Sequence, residues 1–177
     1  MIAFCAVSLS GVLAKKKGQI FFRSNNLLIE CLAGCNKTDE RKILELGLLP
    51  WREICLNINV LKSQFPCWRL NINNLTSNCH KQSYELRERI KFLAMNESPS
   101  ALQRVCLSMD RFADCSTRNY GYHCGKSSES FIDRLFWISR KAIHHMLMIK
   151  WPILPSSCNT EFSKREQNVK NLIYHNL

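Results

Sequence analysis

Ten cysteines at irregular intervals constrain this 177-residue chain more than any other feature. Nine of them run from Cys31 through Cys35, Cys55, Cys67, Cys79, Cys106, Cys115 and Cys124 to Cys158. Structural zinc sites take their ligands from close pairs such as C-x2-C, and no such pair occurs here. Cys79-His80 and His123-Cys124 are adjacent residues whose side chains do not readily meet at one ion. Long, irregular spacings suit disulfides that staple helices together, each worth roughly 2–4 kcal/mol. All nine are therefore disulfide candidates, and no metal or other cofactor is expected. Cys31 and Cys35 fall one helical turn apart on one face, so they are expected to bond two different partners. Cys106 sits on an apolar helix face, and Cys115 and Cys124 are expected near loop ends. An odd number leaves one thiol over, either buried or available for a covalent dimer. Eight cysteines allow on the order of a hundred connectivities, so spacing assigns no pair.

Disulfides on this scale belong to an oxidising compartment. The opening MIAFCAVSLSGVLA, residues 1–14, reads as a signal peptide: Ile2 to Ala14 are apolar or small, with Val12 and Ala14 at the −3 and −1 positions of a cleavage site. No basic residue precedes that run after the initial Met, and Lys15 to Lys17 follow it at once. It is too short to span a bilayer, and the later stretch HHMLMIKWPIL is broken by Lys150, so no transmembrane segment is expected. Three N-x-S/T sequons, at Asn36, Asn74 and Asn96, are N-glycosylation candidates, the last weakened by Pro99. The expected organisation is a signal over 1–14, a basic lead-in over 15–30, a cysteine-rich domain over 31–158 and a polar tail over 159–177. The expected location is extracellular.

The fold class that follows is all-α. Glycine is scarce, at 6 residues, which disfavours a turn-rich β fold. Thr38 precedes Asp39 and Glu40 as a helix cap, and Ile43, Leu44, Leu46, Leu48 and Leu49 supply an apolar face. SYELRERIKFLAM, residues 83–95, places Leu86, Ile90, Leu93 and Ala94 on one side. Ser98 and Pro99 open a helix on which Leu102, Val105, Cys106, Met109 and Phe112 line up. Ser130 and Asp133 resemble a capping pair for a helix that ends by Trp151, before Pro152. Periodicity thus gives about five helices, joined by cysteine-bearing loops and stapled by disulfides.

The chain carries 25 Lys and Arg against 14 Asp and Glu, a formal net charge of +11. Such a surface attracts anions. Arg134, Arg140, Lys141 and Lys150 on the last helix are the anion-binding candidates, for a sulphated glycan or anionic lipid. His144 and His145 are adjacent, so they point about 100° apart and make no metal pair. Trp51, Trp68, Trp137 and Trp151 read as core or half-buried anchors. No nucleic-acid-binding motif is present, and an extracellular address argues against that partner. A cysteine nucleophile would need a base within reach, and no local signature surrounds any cysteine, so no enzyme is expected.

The stretch LQRVCLSMDRFADCSTRNYGYHCGKSSESFIDRLF, followed by ILPSSC, resembles the second half of the nematode chondroitin proteoglycan 4 domain. The matching features are Cys106, Cys115, Cys124-Gly125 and the closing Leu154-Pro155-Ser156-Ser157-Cys158. ECLAGC, FPCWRL and TSNC fit its first half more loosely. The resemblance implies an extracellular, disulfide-bonded, mostly helical domain without catalysis. Chondroitin-bearing members need Ser-Gly attachment sites, and the sole Ser-Gly here, Ser10-Gly11, lies inside the signal. The expectation is a secreted structural or interaction protein of the extracellular matrix, with matrix proteins or an anionic glycan as partners. The alternative is a secreted basic module for sulphated glycan, anionic lipid or a host surface.

Overall fold

The computed structural model describes residue 28 and residues 30–159. The expected signal, Cys5 with it, most of the basic lead-in and the tail beyond residue 159 lie outside the described residues. Within them the chain is helical, with no strand. Residues 30–33 are helical, and after them come α1 (Asp39–Leu56), α2 (Ile58–Leu70), α3 (Ile72–Ser77), α4 (His80–Met95), α5 (Pro99–Lys150) and α6 (Ser156–Asn159).

Local chemistry sets the main boundaries. The Thr38 hydroxyl accepts from the Arg41 amide at 3.3 Å, and Asp39 and Glu40 occupy the positive end of α1. Arg41 also donates to the Cys35 carbonyl at 2.6 Å, which ties the preceding turn to the helix. Asn57 ends α1 and begins α2: its backbone amide returns to the Glu53 carbonyl, and its own carbonyl receives the Leu61 amide. Ser98 caps α5 by accepting from the Ala101 amide at 3.2 Å, with Pro99 in the first turn.

The 52 residues of α5 are a helical hairpin rather than one rod. Gly125 stands at φ 81, ψ 178, outside the helical region and open to glycine alone. The chain folds back there. Phe112 meets Phe136 at 5.6 Å between ring centroids, Asp110 pairs with Arg140, and Glu97 pairs with Lys150 at 2.5 Å. These pairs step symmetrically away from Gly125, so the arms 99–124 and 126–150 run antiparallel. Near the fold, Gly121 lies where a Cβ would come within 3.0 Å of the Glu129 side chain. The second arm therefore starts at residue 126, with Ser130 and Asp133 inside it and not at its cap. A positive-φ glycine lets a helix restart without the longer capped loop that those two residues suggested.

The hairpin is the spine of the fold. The outer helix α4 lies along the first arm, with Glu85 3.4 Å from Arg111 and Arg104 5.2 Å over the Phe92 ring. Helix α1 lies along the second arm, where Arg134 reaches buried Glu53 at 2.5 Å. Trp68 of α2 packs on the hairpin turn, against Tyr120 and Phe131. Its indole N–H donates to Ser128, which in turn donates to Gln64, so this fully buried hydroxyl is satisfied in both directions. Asn119 fixes α3 by donating to the carbonyls of Asn74 and Leu75.

The apolar core is thin. Its buried cluster is Leu102, Cys106, Leu154 and Cys158, closed by Leu93, Leu147 and Trp151. Leu102, Val105 and Cys106 are buried as their spacing predicts. Ile90 departs from the expected face at 49% exposed, as does Leu44 at 51%. Both helices turn their polar and apolar residues together toward the hairpin, so the buried stripe is narrower than periodicity implies.

Candidate functional site

Six of the nine cysteine candidates pair. Cys67–Cys124 ties α2 to the hairpin turn, with Cα atoms 5.8 Å apart. Cys79–Cys115 ties the start of α4 to the first arm at 5.9 Å. Cys106–Cys158 ties that arm to α6 at 5.2 Å, inside the core. The bridged residues lie in or at the ends of helices rather than in connecting loops, and Cys115 is well inside the first arm. Every bridge uses the first arm, because its cysteines recur at Cys106, Cys115 and Cys124 along the length that α2, α4 and α6 meet in turn.

Cys31, Cys35 and Cys55 are not bonded. This corrects the expectation that Cys31 and Cys35 bond two different partners. The physical reason is the neighbour: α1 packs on the second arm, and the sequence from Gly125 to Ser157 contains no cysteine. Cys31 and Cys35 do share one turn, the Cys35 thiol lying 3.5 Å from the Cys31 carbonyl, and both are exposed. Cys55 is half-buried, and burial pushes its thiol above the usual range against the opposing pull of its own backbone hydrogen bond.

The sequon asparagines are all exposed. Asn36 lies in the loop before α1, Asn74 within α3, and Asn96 at the end of α4. The anion-binding candidates behave differently. Arg134 pairs with Glu53, Arg140 with Asp110 and also with the Ser157 carbonyl at 3.2 Å, and Lys150 with Glu97. Lys141 lies 5.4 Å over the Trp137 ring. These cations join the second arm to α1, to the first arm and to α6, and they do not form one open patch. His144 contacts Asn159 at 3.0 Å.

A cleft of about 650 Å³ lies instead between α4 and the first arm. Lys81, Gln82 and Glu85 line it from α4; Arg111, Arg118 and Tyr122 line it from α5. The Cys79–Cys115 bridge fixes one edge, since Cys115 is part of the lining. Glu85 sits between Arg111 at 3.4 Å and Arg89 at 3.9 Å, so its charge is balanced. Arg118 donates its Nε to the Asp114 carbonyl at 3.3 Å. The Gln82 Oε1 is buried with no donor facing it. Tyr122 stands on the rim at 86% exposed. Sequence reasoning passed over these residues because they come from two helices. The available signal was the recurrence of Arg111, Cys115, Arg118 and Tyr122 at helical spacing, a polar stripe carrying one cysteine.

Among the described residues no helix is long and apolar enough to cross a membrane. Comparison with family models, curated proteins and solved structures finds no match to this chain.

Proposed function

We propose that the chain is a secreted, disulfide-stapled structural or interaction protein of an extracellular matrix, with no reaction of its own. The observation that carries this reading is the set of three bridges joining α2, α4 and α6 to one arm of α5. A fold with so thin a core depends on them, and they persist where the surroundings are oxidising. The resemblance to the nematode chondroitin proteoglycan 4 domain supports the same reading, since Cys106, Cys115, Cys124 and Cys158 are all bonded. Exposed Asn36 and Asn74 suit glycosylation on that route. An unpaired exposed thiol at Cys31 or Cys35 is the group through which a covalent dimer would form.

The deciding experiment is an intact mass of protein from a secreting eukaryotic host, alkylated with and without reduction. The expected result is six protected cysteines, rapid labelling of Cys31 and Cys35 in monomer, slow labelling of Cys55, and glycan mass on Asn36 or Asn74. A dimer that collapses on reduction, with Cys31 or Cys35 protected, is the covalent-dimer outcome. Full alkylation without reduction, with no glycan, would overturn the secreted reading.

A further inference from the structure

We infer that the cleft between α4 and the first arm of α5 is a binding site for an acidic saccharide, a sugar unit bearing a sulphate or carboxylate. The inference rests on the extracellular reading above and names a ligand class for it. It also moves anion recognition away from the second arm, whose cations are engaged within the fold.

Four features point to this ligand together. First, Lys81 and Arg118 line the cleft with no carboxylate at ion-pair distance among the described residues, so they can meet an anion without losing an existing pair. The remaining guanidinium N–H groups of Arg118 suit the paired oxygens of a sulphate or carboxylate. Second, the lining also offers acceptors. The carboxylates of Glu85 and Asp114 line the cleft among the cations. A simple anion brings no donors for these groups, whereas a sugar brings hydroxyls. Third, Tyr122 presents an open aromatic surface on the rim, against which the apolar face of a sugar ring can lie. Fourth, the cleft is open and mixed in character, with polar residues such as Asn78 and Asn119 beside a comparable apolar area. That suits a saccharide, which carries both hydroxyls and apolar C–H faces. The net charge of +11 would draw such a polyanion toward the molecule.

The test is calorimetric titration of the full chain with a sulphated glycosaminoglycan hexasaccharide at low salt. Inorganic sulphate, neutral dextran oligomers and phosphatidylserine vesicles serve as alternative probes. The expected result is hexasaccharide binding that weakens with added salt, with no response to dextran. Lys81→Ser and Arg118→Ser should each weaken it by about tenfold. Tyr122→Ala should weaken it by about fivefold. Lys141→Ser, on the other arm, should leave it unchanged. Lys81, Arg118 and Tyr122 are members of neither the bridges nor the core cluster, and near-ultraviolet dichroism checks that each variant is folded. Undiminished binding by the Lys81→Ser/Arg118→Ser double variant overturns the site. So does inorganic sulphate binding as tightly as the hexasaccharide, or binding to vesicles alone. Absence of all binding by a secreted, bridged, glycosylated protein overturns this site and leaves the matrix reading standing.

Discussion

From α2 to α6 every cysteine is bonded; from residue 31 to residue 57 none is. The two regions are fastened to the same hairpin by different means. The bonded region contains the short helices α3 and α6 and the buried core cluster, so covalent links and buried apolar surface fasten it together. The thiol-bearing region is one long helix laid on the second arm, held by side-chain packing and by the Glu53–Arg134 pair. The difference teaches that cysteine position follows the partner surface. The first arm offers three sulfurs to its neighbours and the second arm offers none, so a thiol on α1 has nothing to meet. The α1 region should therefore open before the bonded region does.

The strongest test of that contrast removes the core bridge. Cys106→Ser/Cys158→Ser should cost about 4 kcal/mol from loop entropy, measured by denaturant unfolding. Cys31→Ser/Cys35→Ser should change stability by less than about 0.5 kcal/mol in the same measurement. Equal losses would erase the distinction between the regions. Next, Arg134→Ala leaves Glu53 buried and short of its cation. Because the Arg134 side chain is 64% exposed, the cost should be about 2 kcal/mol, below that of a fully buried pair. Hydrogen exchange should then rise in α1 and not in α4, and a second change, Glu53→Leu, should restore most of the loss. Exchange rising equally in both helices would show that they open as one unit.

Gly125→Ala acts on the hairpin that both regions share. Nothing lies within 4 Å of the added methyl, so the whole penalty is backbone strain at positive φ, about 1–2 kcal/mol by thermal unfolding. No loss would mean that the turn adopts another conformation. The smallest effect concerns the start of α1. A hydrogen bond from its own backbone amide, and a second from Thr38, hold the Glu40 carboxyl below the usual carboxylate range. The unfolded chain therefore binds this proton more readily than the folded one. The stabilisation is full above the ordinary carboxylate pKa and is lost as pH falls through the lowered folded value. Glu40→Gln should melt slightly below the parent at pH near 6 and together with it at pH near 2.5; a gap that persists at the acid end would assign the effect elsewhere.

Helix class, the caps at Thr38 and Ser98, and the buried run through Leu102, Val105 and Cys106 were all legible in the sequence. They depend on neighbours within a turn or two. What was not legible depends on the fold. Helix α2 is obscured by Pro66 within it and by the asparagines around it, and Trp68 against the hairpin is what secures it. The engagement of Arg134, Arg140 and Lys150 reads as a solvated basic face until Glu53, Asp110 and Glu97 arrive from distant positions. The cleft was hidden for the same reason. Its two walls are separated in sequence, and the Cys79–Cys115 bridge that sets them side by side is one pairing among many that spacing allows.

The bridges are also arranged in order. Cys79–Cys115 is nested inside Cys67–Cys124, and Cys106–Cys158 crosses both. Every peptide bond between residues 67 and 158 is thus spanned by at least one disulfide. A protease that cuts the chain once anywhere in that stretch separates nothing: both pieces stay on the same molecule, held by sulfur. A single cut between residues 57 and 67 is spanned by none of these bridges, and it leaves α1, with Cys55 and the preceding Cys31 and Cys35, free to depart.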